Sequence, residues 1–169
     1  MSIRKIYLYP EPVLRKETTI ITAFDSNLKT LAEDMAETMY DAPGIGLAAP
    51  QIGESVKLIV VDISKERGED RRYMAMVNPE IIEQEGHQLD EEGCLSIPEL
   101  TAMVKRFQKI TVSYQDLEGN TKEMTTEDRF AVVLQHEIDH LNGILFIDHL
   151  SSLKRNLYKK KVKKWLAVG

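Results

Sequence analysis

Residues 127–141 read Glu127-Asp128-Arg129-Phe130-Ala131-Val132-Val133-Leu134-Gln135-His136-Glu137-Ile138-Asp139-His140-Leu141, and the fold turns on this stretch. Phe130, Val133, Leu134, Ile138 and Leu141 recur at helical spacing. Thr125 or Thr126 can cap the helix, and Glu127 and Asp128 suit the positive end of its dipole. Gly143 is a natural stop. Inside the helix lies His136-Glu137-Ile138-Asp139-His140, an H-E-x-x-H pattern. Four residues advance a helix by about 400°, so the two imidazoles stand about 6 Å apart on nearly one face. Both can converge on one metal ion. Glu137, about 100° round, can reach a water beside that ion without ligating it. The bland alternative is a surface His/Glu patch, but two His and a Glu on the core-facing part of an amphipathic helix are costly to bury without a partner.

Outward from this helix the chain predicts an α+β fold, with mostly antiparallel sheets packed around a central helix carrying H-E-x-x-H and with an N-terminal and a C-terminal helix. Asp25 or Ser26 can cap the first helix, whose Leu28, Leu31, Ala32, Met35 and Met39 form one apolar face. Pro43 and Gly44 end it near Asp41. Residues 56–63 are apolar and partly β-branched, and residues 73–78 and 80–85 read as strands on either side of Pro79. Ile110, Val112 and Tyr114 alternate with polar neighbours, and Glu118-Gly119-Asn120 offers a hairpin turn into a strand reaching about Thr125. The polar stretch 65–72 reads as a loop, as do the residues around Gly86 and His87. A last helix is expected from Ser151 or Ser152 to about Leu166, docked by Leu150, Leu153 and Leu157. No repeat or linker divides the 169 residues, so a single catalytic domain 1–169 is expected.

The net charge of −5 is unevenly spread, because residues 150–169 hold seven Lys or Arg and no acid. This basic C-terminal helix is either a solvated face offsetting an acidic body or an attachment surface for RNA. No stretch approaches the ~20 apolar residues that span a bilayer. The N-terminus shows no apolar signal region, so a cytoplasmic protein is the default expectation.

One cysteine, Cys94, excludes a disulfide framework. It is either a small buried hydrophobe or a third metal ligand. Downstream candidates are poor: Phe146 stands where one peptidase class places a third His, no Glu follows Glu137, and His149 reads as a surface or capping residue. Upstream, Gly93 lets the backbone approach closely before Cys94. One Cys and two His leave a fourth position open, which is the pattern of a catalytic site.

Three blocks carry a resemblance to peptide deformylase: Gly44-Ile45-Gly46-Leu47-Ala48-Ala49-Pro50-Gln51, Glu92-Gly93-Cys94-Leu95-Ser96 and Gln135-His136-Glu137-Ile138-Asp139-His140-Leu141. Their order and spacing resemble the family over essentially the whole chain. The resemblance implies a hydrolase of linear amides that removes the formyl group from the N-terminal formyl-methionine of nascent polypeptides and releases formate. It implies Cys94, His136 and His140 as metal ligands, and Glu137 as general base and acid. Gln51, through its side-chain amide, and Leu95, through its backbone N–H, would be oxyanion donors. Ile45 and Gly46 would lie beside the substrate, with Arg106 and Arg129 also placed among the substrate-binding candidates. Glu92 would be a partner of a ligand His or of Arg106, or a plain surface residue. Fe(II) is the implied metal in the cell, with Zn, Ni or Co replacing it in preparations. The implied partners are the formyl-methionyl nascent peptide and, through the C-terminal helix, the ribosome; no membrane partner is expected. One departure concerns residues 128 and 129, where the family commonly has Gly and a bulky apolar residue at the rim of the methionine pocket. Asp128 and Arg129 stand there instead. Rival readings are a small peptidase or amidase on the same ligands, and a metal- or ribosome-binding module without turnover.

Overall fold

A computed structural model of the chain describes residues 2–64 and 71–168; most of the polar stretch 65–72 lies outside the described residues. Three α-helices and five strands follow in the order α1 (Ser26–Asp41), β1 (Gly46–Ala48), β2 (Leu58–Asp62), β3 (Tyr73–Cys94), β4 (Ile97–Gln115), β5 (Thr121–Glu127), α2 (Asp128–Leu141) and α3 (Ser152–Val168). The strands form one antiparallel meander in the order β1-β2-β3-β4-β5.

Strand β2 shows why helices cover both faces. All five of its residues are buried. Ile59 and Val61 pack with Leu134, Ile138 and Leu141 of α2. Leu58 and Val60, pointing the other way by the period-two rule, pack with Leu28, Met35 and Met39 of α1. Asp25 caps α1 by accepting a hydrogen bond from the Leu28 N–H, as the sequence suggests.

Four expectations need correction. Pro79 does not separate two strands. β3 passes through it with a register shift between Val77 and Glu80, since a residue without an N–H is tolerated at a bulge. Asn78 adopts φ +50° there, and its side-chain amide exchanges hydrogen bonds with the backbone of Ile21. Second, the residues around Gly86 and His87 form no loop: they lie within β3, where residues 87–93 pair with residues 101–107 in a long two-stranded arm. Its largely exposed polar residues give no hydrophobic period, so backbone pairing alone reveals the strand. Third, Thr125 and Thr126 do not cap α2, because both are paired within β5. The turn into α2 is held by Asp128 at φ +60°, whose carboxylate accepts from Gln108 Nε2 at 2.6 Å and whose carbonyl accepts from Gln88 Nε2 at 3.0 Å. Aspartate tolerates this left-handed conformation better than most side chains, which explains how it replaces glycine there.

Fourth, α3 docks by a different stripe. Leu153 and Leu157 are exposed, while Leu150, Tyr158 and Val162 are buried with Trp165 packed beside them. Tyr158 fixes the docking by donating its hydroxyl to the Pro98 carbonyl at 2.9 Å.

Candidate metal centre and active-site cleft

Two tight turns and α2 bring the candidate residues together. Strand β3 ends at Cys94, which pairs with Ile97 across the hairpin tip, so Cys94, Leu95 and Ser96 project at one point. The segment entering β1 is tied at both ends, by Gly44 N–H to the Met39 carbonyl at 2.7 Å and by Asp62 N–H to the Ile45 carbonyl at 2.9 Å. A cleft of about 580 Å³ lies between them. Ile45, Gly46, Gln51, Leu95 and Arg129 all line it, together with Cys94, His136 and Glu137.

The ligand atoms of Cys94, His136 and His140 all lie within 4.8 Å of one another. His140 Nε2 faces Cys94 Sγ at 3.4 Å. His136 Nδ1 is bonded to Glu92 Oε1 at 2.9 Å, which leaves Nε2 as the ring atom available to a metal. Burial alone would depress His136, but its bonds to Cys94 and Glu92 hold its pKa well above the ordinary imidazole value. A position that attracts a proton this strongly also suits a cation. His140 behaves oppositely: burial, and then the charge of His136, hold it well below that value, so it is a neutral donor. A Cys/His/His set with no fourth side chain in the cluster among the described residues therefore fits a three-ligand metal site with one open position.

Glu137 is on the same helix but outside the ligand cluster. Among the described residues its Oε1 is buried with no hydrogen-bond partner, and the side chain lines the cleft. Burial pushes its pKa up to about 7, with the charge of Glu92 adding to the effect and that of His136 opposing it. Such a carboxyl can both take and return a proton near neutrality. Gln51 is oriented from both ends: Oε1 accepts from the Ala48 N–H at 2.9 Å, and Nε2 points to Ser96 Oγ at 3.1 Å and Cys94 Sγ at 3.6 Å.

Gly46 has a steric reason. A Cβ there would sit 2.5 Å from Glu137 Oε2. Gly46→Ala is expected to displace the Glu137 carboxylate and lower kcat by about a hundredfold, with thermal stability little changed. Steady-state kinetics beside a melting curve checks this; wild-type kcat would mean that the carboxylate needs no such clearance.

Arg106 is a correction. It does not line the cleft; it borders a separate depression with Asp139 and His149. Its guanidinium is spent on Glu92 (Nε to Oε2 2.7 Å, Nη2 to Oε1 2.8 Å) and on Asp139 (2.6 Å). Burial would raise the pKa of Glu92, but the hydrogen bonds of Arg106 and His136 outweigh it and hold the carboxyl at about 2. Glu92 thus partners both Arg106 and His136 and is no surface residue. His149, expected at the surface, is partly exposed yet bonds Asp139 Oδ2 at 3.0 Å. The sequence gives Asp139 and Ser96 no role, and the available signal is that each lies within one of the matching blocks.

The chain matches the family model described as polypeptide deformylase over residues 3–156. It is 72% identical over 165 residues to a peptide deformylase of Desulfotalea psychrophila, covering 98% of each chain. It is 47% identical over 169 residues to one of Acidobacterium capsulatum, covering 100% of this chain and 99% of that one. Among solved structures, the peptide deformylase of Legionella pneumophila superposes with a TM-score of 0.91 at 47% identity, over 99% of this chain and 97% of that one. One of Ehrlichia chaffeensis in complex with actinonin gives 0.89 at 35% identity, over 97% and 98% of the two chains.

Proposed function

The chain belongs to the polypeptide deformylase family, metallohydrolases that remove the N-formyl group from nascent polypeptides, and from that premise we propose the residues that do this work. Residues 1–169 act as one catalytic domain organised around α2, the helix carrying His136-Glu137-Ile138-Asp139-His140. Cys94, His136 and His140 hold the metal. The observation that carries this is their convergence within 4.8 Å, with Cys94 and His136 in the wall of the cleft. Thiolate plus imidazole suits iron, zinc, cobalt or nickel, and we take Fe(II) as the metal in the cell. When bound, the ion supplies polarisation of the formyl carbonyl and makes water acidic near neutral pH.

The rest of the chemistry belongs to the chain's own residues. Glu137 accepts the proton of the attacking water and returns it to the amine nitrogen as the formyl carbon–nitrogen bond breaks, leaving formate and a free amino terminus. Gln51 Nε2 and the Leu95 N–H donate to the oxygen that gains charge as the formyl carbon becomes tetrahedral. An annex of about 50 Å³ opens beside Glu137 between Ile45, Val132 and Val133. Ile45, Val132 and Val133 give it an apolar side that suits the unbranched side chain of methionine, with Ile45 and Gly46 beside the substrate backbone and Arg129 at the rim.

Formate release from formyl-Met-Ala-Ser by protein purified without oxygen, with metal assayed on the same sample, tests this reading. Turnover with about one iron per chain is expected. A chain that carries metal but leaves the formyl peptide intact would be a silent binding module, and one that cleaves unformylated peptides would be a peptidase.

No helix among the described residues is long and apolar enough to cross a membrane, and we place the protein in the cytoplasm. Lys154, Arg155, Lys159, Lys160, Lys161, Lys163 and Lys164 on α3 (the basic segment 150–169) would contact ribosomal RNA near the emerging peptide. Co-sedimentation with ribosomes is expected at 50 mM salt and to be lost at 200 mM; binding indifferent to salt would argue against it.

A further inference from the structure

Ile45, Gly93, Arg129, His136 and Glu137 line both the main cleft and the small annex, so these residues stand at the junction of the two. Arg129 is the only Lys or Arg among the described residues that line the cleft. It lies in the first turn of α2, and its Nη1 donates to Asp90 Oδ2 at 2.8 Å and to the Glu91 carbonyl at 3.2 Å, both on β3. Both of its hydrogen bonds among the described residues run through Nη1, which leaves Nη2 and Nε for another acceptor. The side chain is 59% exposed and Asp90 29% exposed. A pair this exposed is well hydrated and leaves the guanidinium available to a second carboxylate. The Asp90 carboxylate and the Glu91 carbonyl thus anchor Nη1, while Nη2 and Nε remain to meet an acceptor where the cleft joins the annex.

We infer that Arg129 sets the charge preference of this enzyme, selecting formyl-methionyl peptides with a carboxylate side chain at one of the two residues after methionine. The planar fork of the guanidinium suits such a carboxylate, and its stem still closes the annex where a bulky apolar residue otherwise would. The inference rests on the deformylase reading of the cleft, and it concerns discrimination between substrates rather than the bond-breaking step.

The test is a matrix of kcat/KM values. Formyl-Met-Asp-Ser is compared with formyl-Met-Lys-Ser, and formyl-Met-Ala-Asp with formyl-Met-Ala-Lys, for wild type, Arg129→Leu, Arg129→Lys and Arg129→Glu. At low salt the wild type is expected to favour the acidic member of at least one pair about fivefold. The ratio should fall toward one in Arg129→Leu or at high salt, stay above one in Arg129→Lys, and drop below one in Arg129→Glu. A purely steric role at the rim would change both members of a pair alike and leave the ratio untouched. A wild-type ratio of one, or a ratio unchanged in Arg129→Leu, overturns the inference while formate release keeps the deformylase reading intact. If no peptide releases formate, the reading itself fails and the inference falls with it.

Discussion

Glu137→Gln is expected to lower kcat by about a hundred- to ten-thousandfold while the protein keeps its metal and its stability. The range is that of a positioned general acid–base group. Metal should be retained because Glu137 is not one of the three clustered ligands. Stability should hold or rise because the variant removes a buried carboxyl whose Oε1 has no partner. The decisive comparison is metal content and formate release on one preparation. A glutamine variant that turns over at the wild-type rate would remove Glu137 from the mechanism. Loss of metal together with loss of activity would place Glu137 among the ligands instead.

The second large effect concerns Glu92, which sits between the candidate centre and the rest of the fold. It accepts from Arg106 through both oxygens and also bonds His136, and both Glu92 and Arg106 have side chains only 4% exposed. Glu92→Ala leaves a buried guanidinium half-paired and frees the His136 ring. The expected cost is about 3–5 kcal/mol of stability, and metal affinity should weaken about ten- to a hundredfold. Urea unfolding and competition with a chelator measure the two separately. Weakened metal binding without lost stability would mean that Arg106 finds another partner.

The pH dependence of the same pair has a definite sign. The folded-state pKa of Glu92, about 2, lies below its ordinary value of 4.5. Its ionised form therefore contributes stability that is complete above about pH 4.5 and is lost as the pH falls toward 2. In Glu92→Gln this part of the acid limb should flatten. An unfolding curve against pH that is identical for the two proteins would show that the carboxylate gains nothing on folding.

Local sequence pattern located the helices and marked the candidate residues on α2. Hydrophobic spacing placed α1 and α2 close to where they lie, because a face that packs on a sheet must repeat every 3.6 residues whatever it packs on. It also singled out Cys94, His136, Glu137 and His140, since these side chains have few uses together. The tertiary structure decided what depends on contacts between distant residues. The polar arm of β3 and β4 had no period to read, and only backbone pairing between residues 87–93 and 101–107 makes it a strand. The docking face of α3 went to Tyr158 and Val162 rather than Leu153 and Leu157, because Pro98 and the N-terminal segment wait on that side. Arg106 was legible as a charge but not as a position. Whether it meets the substrate or Glu92 depends on which face of β4 is turned toward α2; the β3–β4 pairing sets Arg106 beside Glu92, where burying the charge requires that partner.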